Sequence, residues 1–465
     1  MLLAAACARY QYEPEPVEPE ANLADLLGRN LDEKKLLAFL AARGHSVSPW
    51  PPAVWNAETL TLAAFYFNPR LRAARAALDV RWAELATASQ RTNPELNLPL
   101  EHHSDTSGGR SPWLIGLITD LRFERPGKRD ARIERVRAQA ESAWLELEAT
   151  AWELRSALHR ALIEDWGARH ERDLLAEELE LQERSRALLA RRVELGEASA
   201  FELSQTQLEL QRLELLQARQ HAALDDRRRA LVNLTGMPRA QLESAGTDFD
   251  GLARLPEADR IVQLSIREAA LVHRLDMRRS LADYAAAEAL LKLEIEKQHP
   301  DIVLSPGFIF DQDDEIWALG AAWTLPVLHR NDGPIREALA ERELEQALIL
   351  SLQAEIINDV GRRRGLYLAQ LEALAEAEEL AAQAERNEAR LRRQFELGDI
   401  DRLAWLGAGI GSARARRDAL ALRVEAMRAA QSLENALQAP LDSEIDLSGI
   451  LVALFAAEGD AVTQP

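Results

Sequence analysis

Two kinds of hydrophobic spacing alternate along this chain. Long stretches place Leu and Ala at helical intervals among mixed acids and bases, whereas two short stretches alternate apolar and polar positions. From Gly127 to Gly196 nearly seventy residues pass with no proline and one internal glycine, Gly167. At ~1.5 Å per residue this predicts a helix about 100 Å long, and the run from Pro334 to Gly398 predicts one of about 95 Å. Leu174, Leu181, Leu188 and Leu195 fall seven apart, the spacing of a coiled-coil seam rather than of a compact core. Shorter helices are predicted over about 59–91, 200–235, 265–298 and 402–438.

The alternating stretches predict strands. "ELNLPLEHH" sets Leu96, Leu98 and Leu100 against polar or proline positions. In "PWLIGLITDLRF", Trp113, Ile115, Leu117, Leu121 and Phe123 share one side, with Gly116, Asp120 and Arg122 on the other. A polar loop, "SDTSGGRSP", separates the two arms. "HPDIVLSPGFIF" and "IWALGAAWTLPVL" form a second such pair around the loop "DQDDE" (311–315). Two isolated hairpins are marginal in water, so these need partners in this chain or in other copies of it.

The two pairs belong to a larger repeat. Pro94 corresponds to Pro300, Trp113 to Trp317 and Gly116 to Gly320. "LARRVELGEASAF" (189–201) and "LRRQFELGDIDRL" (391–403) share Leu189/Leu391, Arg191/Arg393, Glu194/Glu396, Leu195/Leu397 and Gly196/Gly398. The offset drifts from 206 residues at the prolines to 202 at the Leu-Gly phrases, as a duplicated unit with small loop deletions would. Glycine after an apolar-periodic run stops a helix, so each phrase is a helix-turn-helix tip. The organisation read from this is an N-terminal start and tether over 1–58, a first repeat over 59–258 with its hairpin at 94–123, a second over 259–441 with its hairpin at 300–328, and a tail over 442–465.

Composition narrows the function. Among 465 residues, 76 acids against 56 bases give a net charge of −20, which argues against nucleic acid as a partner. No run of eighteen apolar residues is present, so no membrane-spanning helix is expected. The single cysteine, Cys7 in "MLLAAACARY", follows a short apolar run and small residues, as at the end of a bacterial lipoprotein signal. Lipidation of Cys7 is the expectation, with an incidental thiol as the alternative. "YQYEPEPVEPE" behind it reads as an extended tether.

The order of elements, "LAAFYFNPRLRAA" before the first hairpin, the doubled hairpins, and "RRVELGEASAFEL" with "RQFELGDIDRL" at the tips together resemble the TolC-type outer-membrane factors of bacterial tripartite efflux and type I secretion systems. The likeness covers roughly residues 59–440. It implies a mainly α chain with a small β part, three copies of which form an α-helical tunnel and a shared twelve-stranded membrane barrel. It implies an outer-membrane location with the helices in the periplasm, a periplasmic adaptor protein and an inner-membrane pump as partners, and passive export with no cofactor. Leu195, Gly196, Glu197, Leu397, Gly398 and Asp399 are the expected adaptor-docking tips. Glu202, Phe395, Asp399, Asp401 and Arg402 are the candidates for closing the tunnel, with helix capping and solvation as the plainer reading of the charges.

No nucleophile elbow, phosphate loop, dinucleotide fingerprint or paired-cysteine metal site occurs, so no enzyme chemistry is expected. His102-His103-Ser104-Asp105 reads as a wet loop rather than a metal site, and "DQDDE" lacks EF-hand spacing. The competing class is a soluble coiled-coil scaffold. Matched alternating strands count against it, because a scaffold has no use for them.

Overall fold

The computed structural model describes residues 12–41, 48–104, 108–263 and 273–441. Cys7 and the tail beyond 441 lie outside the described residues. The helices are α1 (Pro19–Gly28), α2 (Lys34–Ala41), α3 (Ala57–Phe67), α4 (Pro69–Ser89), α5 (Pro126–Glu194), α6 (Ala200–Thr235), α7 (Arg239–Ser244), α8 (Ala258–Gln263), α9 (Leu275–Glu296), α10 (Asp332–Glu396) and α11 (Arg402–Leu437). The strands are β1 (Glu95–Asn97), β2 (Leu100–His102), β3 (Trp113–Phe123), β4 (Ile302–Asp311) and β5 (Asp314–Trp323). The chain is mainly helical, with one small antiparallel sheet.

Two unbroken helices, α5 with 69 residues and α10 with 65, run the length of the molecule. Shorter helices pair with them end to end. α4 and α6 lie along α5, while α9 and α11 lie along α10 and also pack on α5. Where α4 and α6 meet, the buried Arg29 guanidinium donates to the carbonyls of Phe67 (2.8 Å) and Gly236 (2.9 Å). Asn68 Nδ2 donates to Leu234 O at 2.8 Å, which ties the two helix ends together. Gly236 has φ +68°, and a Cβ there would sit 2.9 Å from the Phe67 carbonyl, so no larger residue fits. The equivalent joint of α9 and α11 is closed by Gln438, whose side-chain carbonyl accepts from Leu275 N at 2.6 Å.

The core is thickest at these joints. Phe67, Leu71, Leu158, Leu162 and Trp166 anchor one buried cluster, and Ile356, Val360, Tyr367 and Leu433 anchor another. Leu255, in the linker between the two halves, packs against both, so the clusters lie at one level of the bundle.

Four sequence expectations change here. The helix expected over 59–91 is two helices, because Asn68 is extended and caps α4 in front of Pro69. The segment 1–58 is not all tether. Residues 12–18 have no secondary structure, but Leu31, Leu36, Phe39 and Leu40 are buried in the first cluster. Their apolar spacing was obscured by the Pro/Glu-rich stretch before them. The seam of α5 is displaced from Leu174, Leu181 and Leu188 to Leu175, Glu178, Gln182 and Leu189, which are buried; Leu195 is exposed. A seam with two polar members cannot be found by counting leucines. The fourth change concerns the strand arms. Pro99, which has no N–H to donate, divides the first arm into β1 and β2. "DQDDE" contracts to a two-residue turn in which Gln312 (φ 49°) and Asp313 (φ 72°) are both left-handed, as a tight hairpin of this twist requires.

Candidate functional site

The sheet and the two helix tips occupy opposite ends of the long helices. In the sheet, β1 and β2 pair with β3, β3 with β4, and β4 with β5, all antiparallel, so the two hairpins join edge to edge. The register sorts the side chains. Leu100, Ile115 and Phe310 stand in one row, Leu117, Phe308 and Trp317 in another, and Phe123, Ile302 and Trp323 in a third, all on one face. Asn97, Asp120 and Ser305 lie on the opposite face, where Asn97 Nδ2 donates to Asp120 Oδ2 at 2.7 Å and the Ser305 hydroxyl also donates to Asp120. Small residues crowd this second face: a Cβ on Gly116 would come within 2.6 Å of the Pro99 ring. Most of the apolar face is open to solvent in the single chain, including Leu96, Leu98, Leu100, Trp113, Trp317, Leu319 and Trp323. Both edges, β1/β2 and β5, are unpaired among the described residues.

Three cations at the start of α5 tie it to the sheet and to α4. Lys128 pairs with Asp301 at 2.6 Å, while Arg129 and Arg132 donate to the last carbonyls of α4, Ser89 O and Ala88 O. These bonds satisfy acceptors that the end of a helix leaves free.

At the far end, the repeated Leu-Gly phrase builds the same turn twice. Gly196 (φ +75°) and Gly398 (φ +81°) are left-handed. Gly196 N donates to Val193 O and Glu197 N to Arg192 O; Gly398 N donates to Phe395 O and Asp399 N to Gln394 O. Each is a Schellman cap, in which the two amides after the helix satisfy its last carbonyls. Leu195 and Leu397 project into solvent, 61% and 77% exposed.

The expected gate residues separate into different tasks. Glu202 folds back to accept from Ser199 N at 3.2 Å, the reciprocal half of a capping box. Asp401 caps α11 by accepting from Ala404 N at 2.7 Å, and its other oxygen meets Arg192 Nη1 at 2.8 Å. The Ala404 amide first, then Arg192, hold the Asp401 carboxyl below the usual range. Phe395 stacks on Trp405 at 5.2 Å, and Trp405 Nε1 donates to Glu388 at 3.1 Å. Asp399 and Arg402 are exposed and lie at the turn itself.

Sequence reasoning missed three features. The contact between Arg192 and Asp401 joins the two tips within one chain, and no spacing rule relates residues 209 apart. Trp405 aligns with Leu203 in the other phrase, so a break in the repeat was its only signal. Glu178 is buried in the α5 seam, 2.8 Å from Arg417 of α11, and burial pushes its carboxyl above the usual range despite that arginine. Further pairs, Glu164 with Arg428, Glu177 with Arg416 and Arg155 with Glu434, stitch α5 to α11. At the mouth of the sheet His103 faces Asp311 at 3.5 Å. Among the described residues no three His, Cys, Asp or Glu side chains are grouped to hold a metal ion; Asp105 lies outside them.

The structure thus sets a sheet that is apolar on one face at one end of helical ribbons about 100 Å long, and two Leu-Gly turns at the other. Residues 64–237 match the family described as outer membrane efflux protein. It is similar to the cobalt-zinc-cadmium resistance protein CzcC of Cupriavidus metallidurans, 26% identical over 297 residues, which is 63% of this chain and 68% of that protein. The fold resembles the outer membrane protein VceC of Vibrio cholerae, with a TM-score of 0.66, 18% identity, and 83% of this chain and 97% of that one covered. It also resembles the CmeC outer membrane channel of Campylobacter jejuni, with a TM-score of 0.67, 13% identity, and 86% and 89% covered.

Proposed function

We propose that three copies of this chain form an export duct through the bacterial outer membrane and periplasm. The carrying observation is the sheet. Its apolar face fits lipid, its opposite face carries Asn97, Asp120, Arg122 and Ser305, and its two open edges are each other's natural partners. Four strand lengths from each of three copies close a twelve-stranded barrel, which is a way to cross lipid with every backbone group paired. The helices continue it as a tunnel in the periplasm, and the chain divides into two repeats at about residue 258. Cys7 carries lipid at the same membrane. The match of residues 64–237 to the outer membrane efflux protein family supports this reading.

The tips at Leu195, Gly196, Glu197, Leu397, Gly398 and Asp399 dock a periplasmic adaptor coupled to an inner-membrane pump. Of the gate candidates, Asp401 and Phe395 are already engaged in holding the second tip, and Asp399 and Arg402 are the groups free to meet neighbouring copies. The duct moves cargo without bond chemistry of its own. The similarity to a cobalt-zinc-cadmium resistance protein favours divalent metal cations as cargo. Acidic side chains on the polar face of the sheet, Glu101, Asp120, Asp311 and Asp314, suit such cargo by raising the local cation concentration.

Light scattering in detergent tests the assembly. A mass of three chains, together with cation-selective conductance in planar bilayers, is the expected result. A stable monomer with an intact sheet overturns the duct and returns the coiled-coil scaffold.

A further inference from the structure

Helix α1, ten residues long, has no residue buried. Its apolar positions form a stripe, Leu23, Leu26 and Leu27, exposed by 55%, 40% and 67%. Residues 12–28 carry five acids, Glu13, Glu15, Glu18, Glu20 and Asp25, and no base. Arg29 at its end is fixed to the α4–α6 joint, so α1 leaves the body of the chain at that level and at that side. An apolar stripe with nothing over it costs solvation, roughly 25 cal/mol per Å² left in water. It calls for a surface to cover it.

The side-by-side order of helices says which surface passes there. Within the chain α4 and α6 pack on α5, α5 packs on α9 and α11, and these pack on α10. The subunit is therefore a strip with α4/α6 along one margin and α10 along the other. In a closed ring of identical copies, which is the duct reading on which this inference rests, the α10 margin of one copy meets the α4/α6 margin of the next. The level matches as well, because Leu255 bridges the core cluster at the α4–α6 joint and the cluster around Val360 and Tyr367 of α10. On α10 at that level, Leu350, Ile357, Gly361 and Arg364 fall along one line of the helix, and Val262 of α8 lies beside it, held by Arg364 Nη2 donating to Val262 O at 2.9 Å. Leu350, Ile357 and Val262 are exposed, and nothing lies within 4 Å of a Cβ built on Gly361. The sequence there is Gly-Arg-Arg-Arg-Gly, with Asp359 as the acid paired to Arg362 and Arg363. An apolar strip with a glycine gap and a basic rim fits an acidic helix with a leucine stripe.

We infer that α1 of each copy docks across the subunit boundary onto the Leu350–Arg364 strip of the next copy. Leu23, Leu26 and Leu27 cover Ile357, Gly361 and Val262, and the acids of 13–20 face Arg362 and Arg364. The segment then acts as an intersubunit clasp at mid-height, away from both the sheet and the tips.

The test is disulfide trapping in the full-length protein, purified in detergent, with Leu27→Cys and Gly361→Cys together and each alone as the control for Cys7. A disulfide forms only when the two Cα atoms come within about 7 Å. Oxidation of the double variant is expected to give covalent dimers and trimers on denaturing gels, and the single variants none. Adding Leu23→Asp and Leu26→Asp to the pair should remove most of that product. Neither residue is buried in the chain, so its fold should be unaffected. A trimer by light scattering with no cross-link, with only an intrachain one, or with a yield unmoved by the aspartates overturns the clasp and leaves the duct standing. A monomer by light scattering overturns the duct and the clasp with it.

Discussion

The two tips end their long helices with the same backbone and surround them with different side chains. Both stop on a left-handed glycine closed by the same pair of amide bonds. Both restart at equivalent positions on an N-cap, Ser199 in one and Asp401 in the other. Beyond that they diverge. The second tip is tied by the Phe395–Trp405 stack, by Glu388 and by Arg192 reaching across from the first helix. The first shares the Arg192 bond but has no aromatic stack among the described residues, and Phe201 stands 69% exposed beside its cap. The two copies share what the backbone requires, and only the second carries the Phe395–Trp405 stack. A braced element and an unbraced one of the same shape suit a joint in which one part holds position while the other adapts to a partner.

The largest effect should come from the feature the tips share. Gly196→Arg and Gly398→Arg each force a side chain into the left-handed region, at a cost of about 1 kcal/mol, small against the packing of the whole chain. Assembly should persist in both, while adaptor cross-linking and export are lost, as read by transport assays in cells. Export by both variants at normal rate would reduce the repeated Leu-Gly to a helix stop.

The next effect should separate the tips. Trp405→Ala removes the stack and the bond to Glu388 and should cost about 2–4 kcal/mol locally, in line with loss of a partly buried aromatic. Hydrogen exchange should then accelerate at the ends of α10 and α11. Phe201→Ala should leave exchange at the first tip nearly unchanged. Equal responses would erase the distinction between braced and free.

A smaller difference is expected from the caps. Ser199→Ala should cost about 1 kcal/mol and Asp401→Ala somewhat more, because the latter also strands Arg192. A double-mutant cycle of Arg192→Ala with Asp401→Ala should give a coupling of about 0.2–1 kcal/mol, since both side chains are partly in water. A coupling near zero would leave the crossing bond without energetic weight.

The smallest effect is in pH. Asp401 has its pKa lowered in the folded chain, so its stabilisation is complete above the ordinary carboxylate range and is lost as pH falls through the lowered value. Glu178 has its pKa raised by burial, so its ionised form weighs against folding and stability rises as pH falls through the raised value. Thermal unfolding of Asp401→Asn and Glu178→Gln, each referenced to the parent between neutral pH and about pH 3, should give slopes of opposite sign. Slopes of the same sign would contradict the burial of Glu178.

Legibility in the sequence followed the same division. The proline-free runs and the Leu-Gly phrases exposed the long helices and their ends, because helix continuation and helix stop are local properties of the backbone. Trp113, Ile115, Leu117, Leu121 and Phe123 disclosed the apolar face of β3 through period two alone. The edge-to-edge joining of β3 with β4 was not legible, since nothing in either strand names its neighbour across two hundred residues. Nor was the polar seam at Glu178 and Gln182, where pairing with another helix replaces the leucine that periodicity looks for. The tips were legible as positions of two turns, and the bracing by Arg192 and Trp405 was not, because it depends on which helices lie side by side.

The unbroken run of α5 and α10 past jointed partners has a mechanical consequence. Each rod keeps its hydrogen-bond ladder intact through the level where α4 meets α6 and α9 meets α11. Bending stiffness is therefore lowest at that level, where half the helices are interrupted, while torsional continuity is carried through by the rods. A twist applied at the tips would travel as elastic strain up α5 and α10 to the Lys128–Asp301 anchorage at the sheet, and slip would be taken up at Asn68 and Gln438.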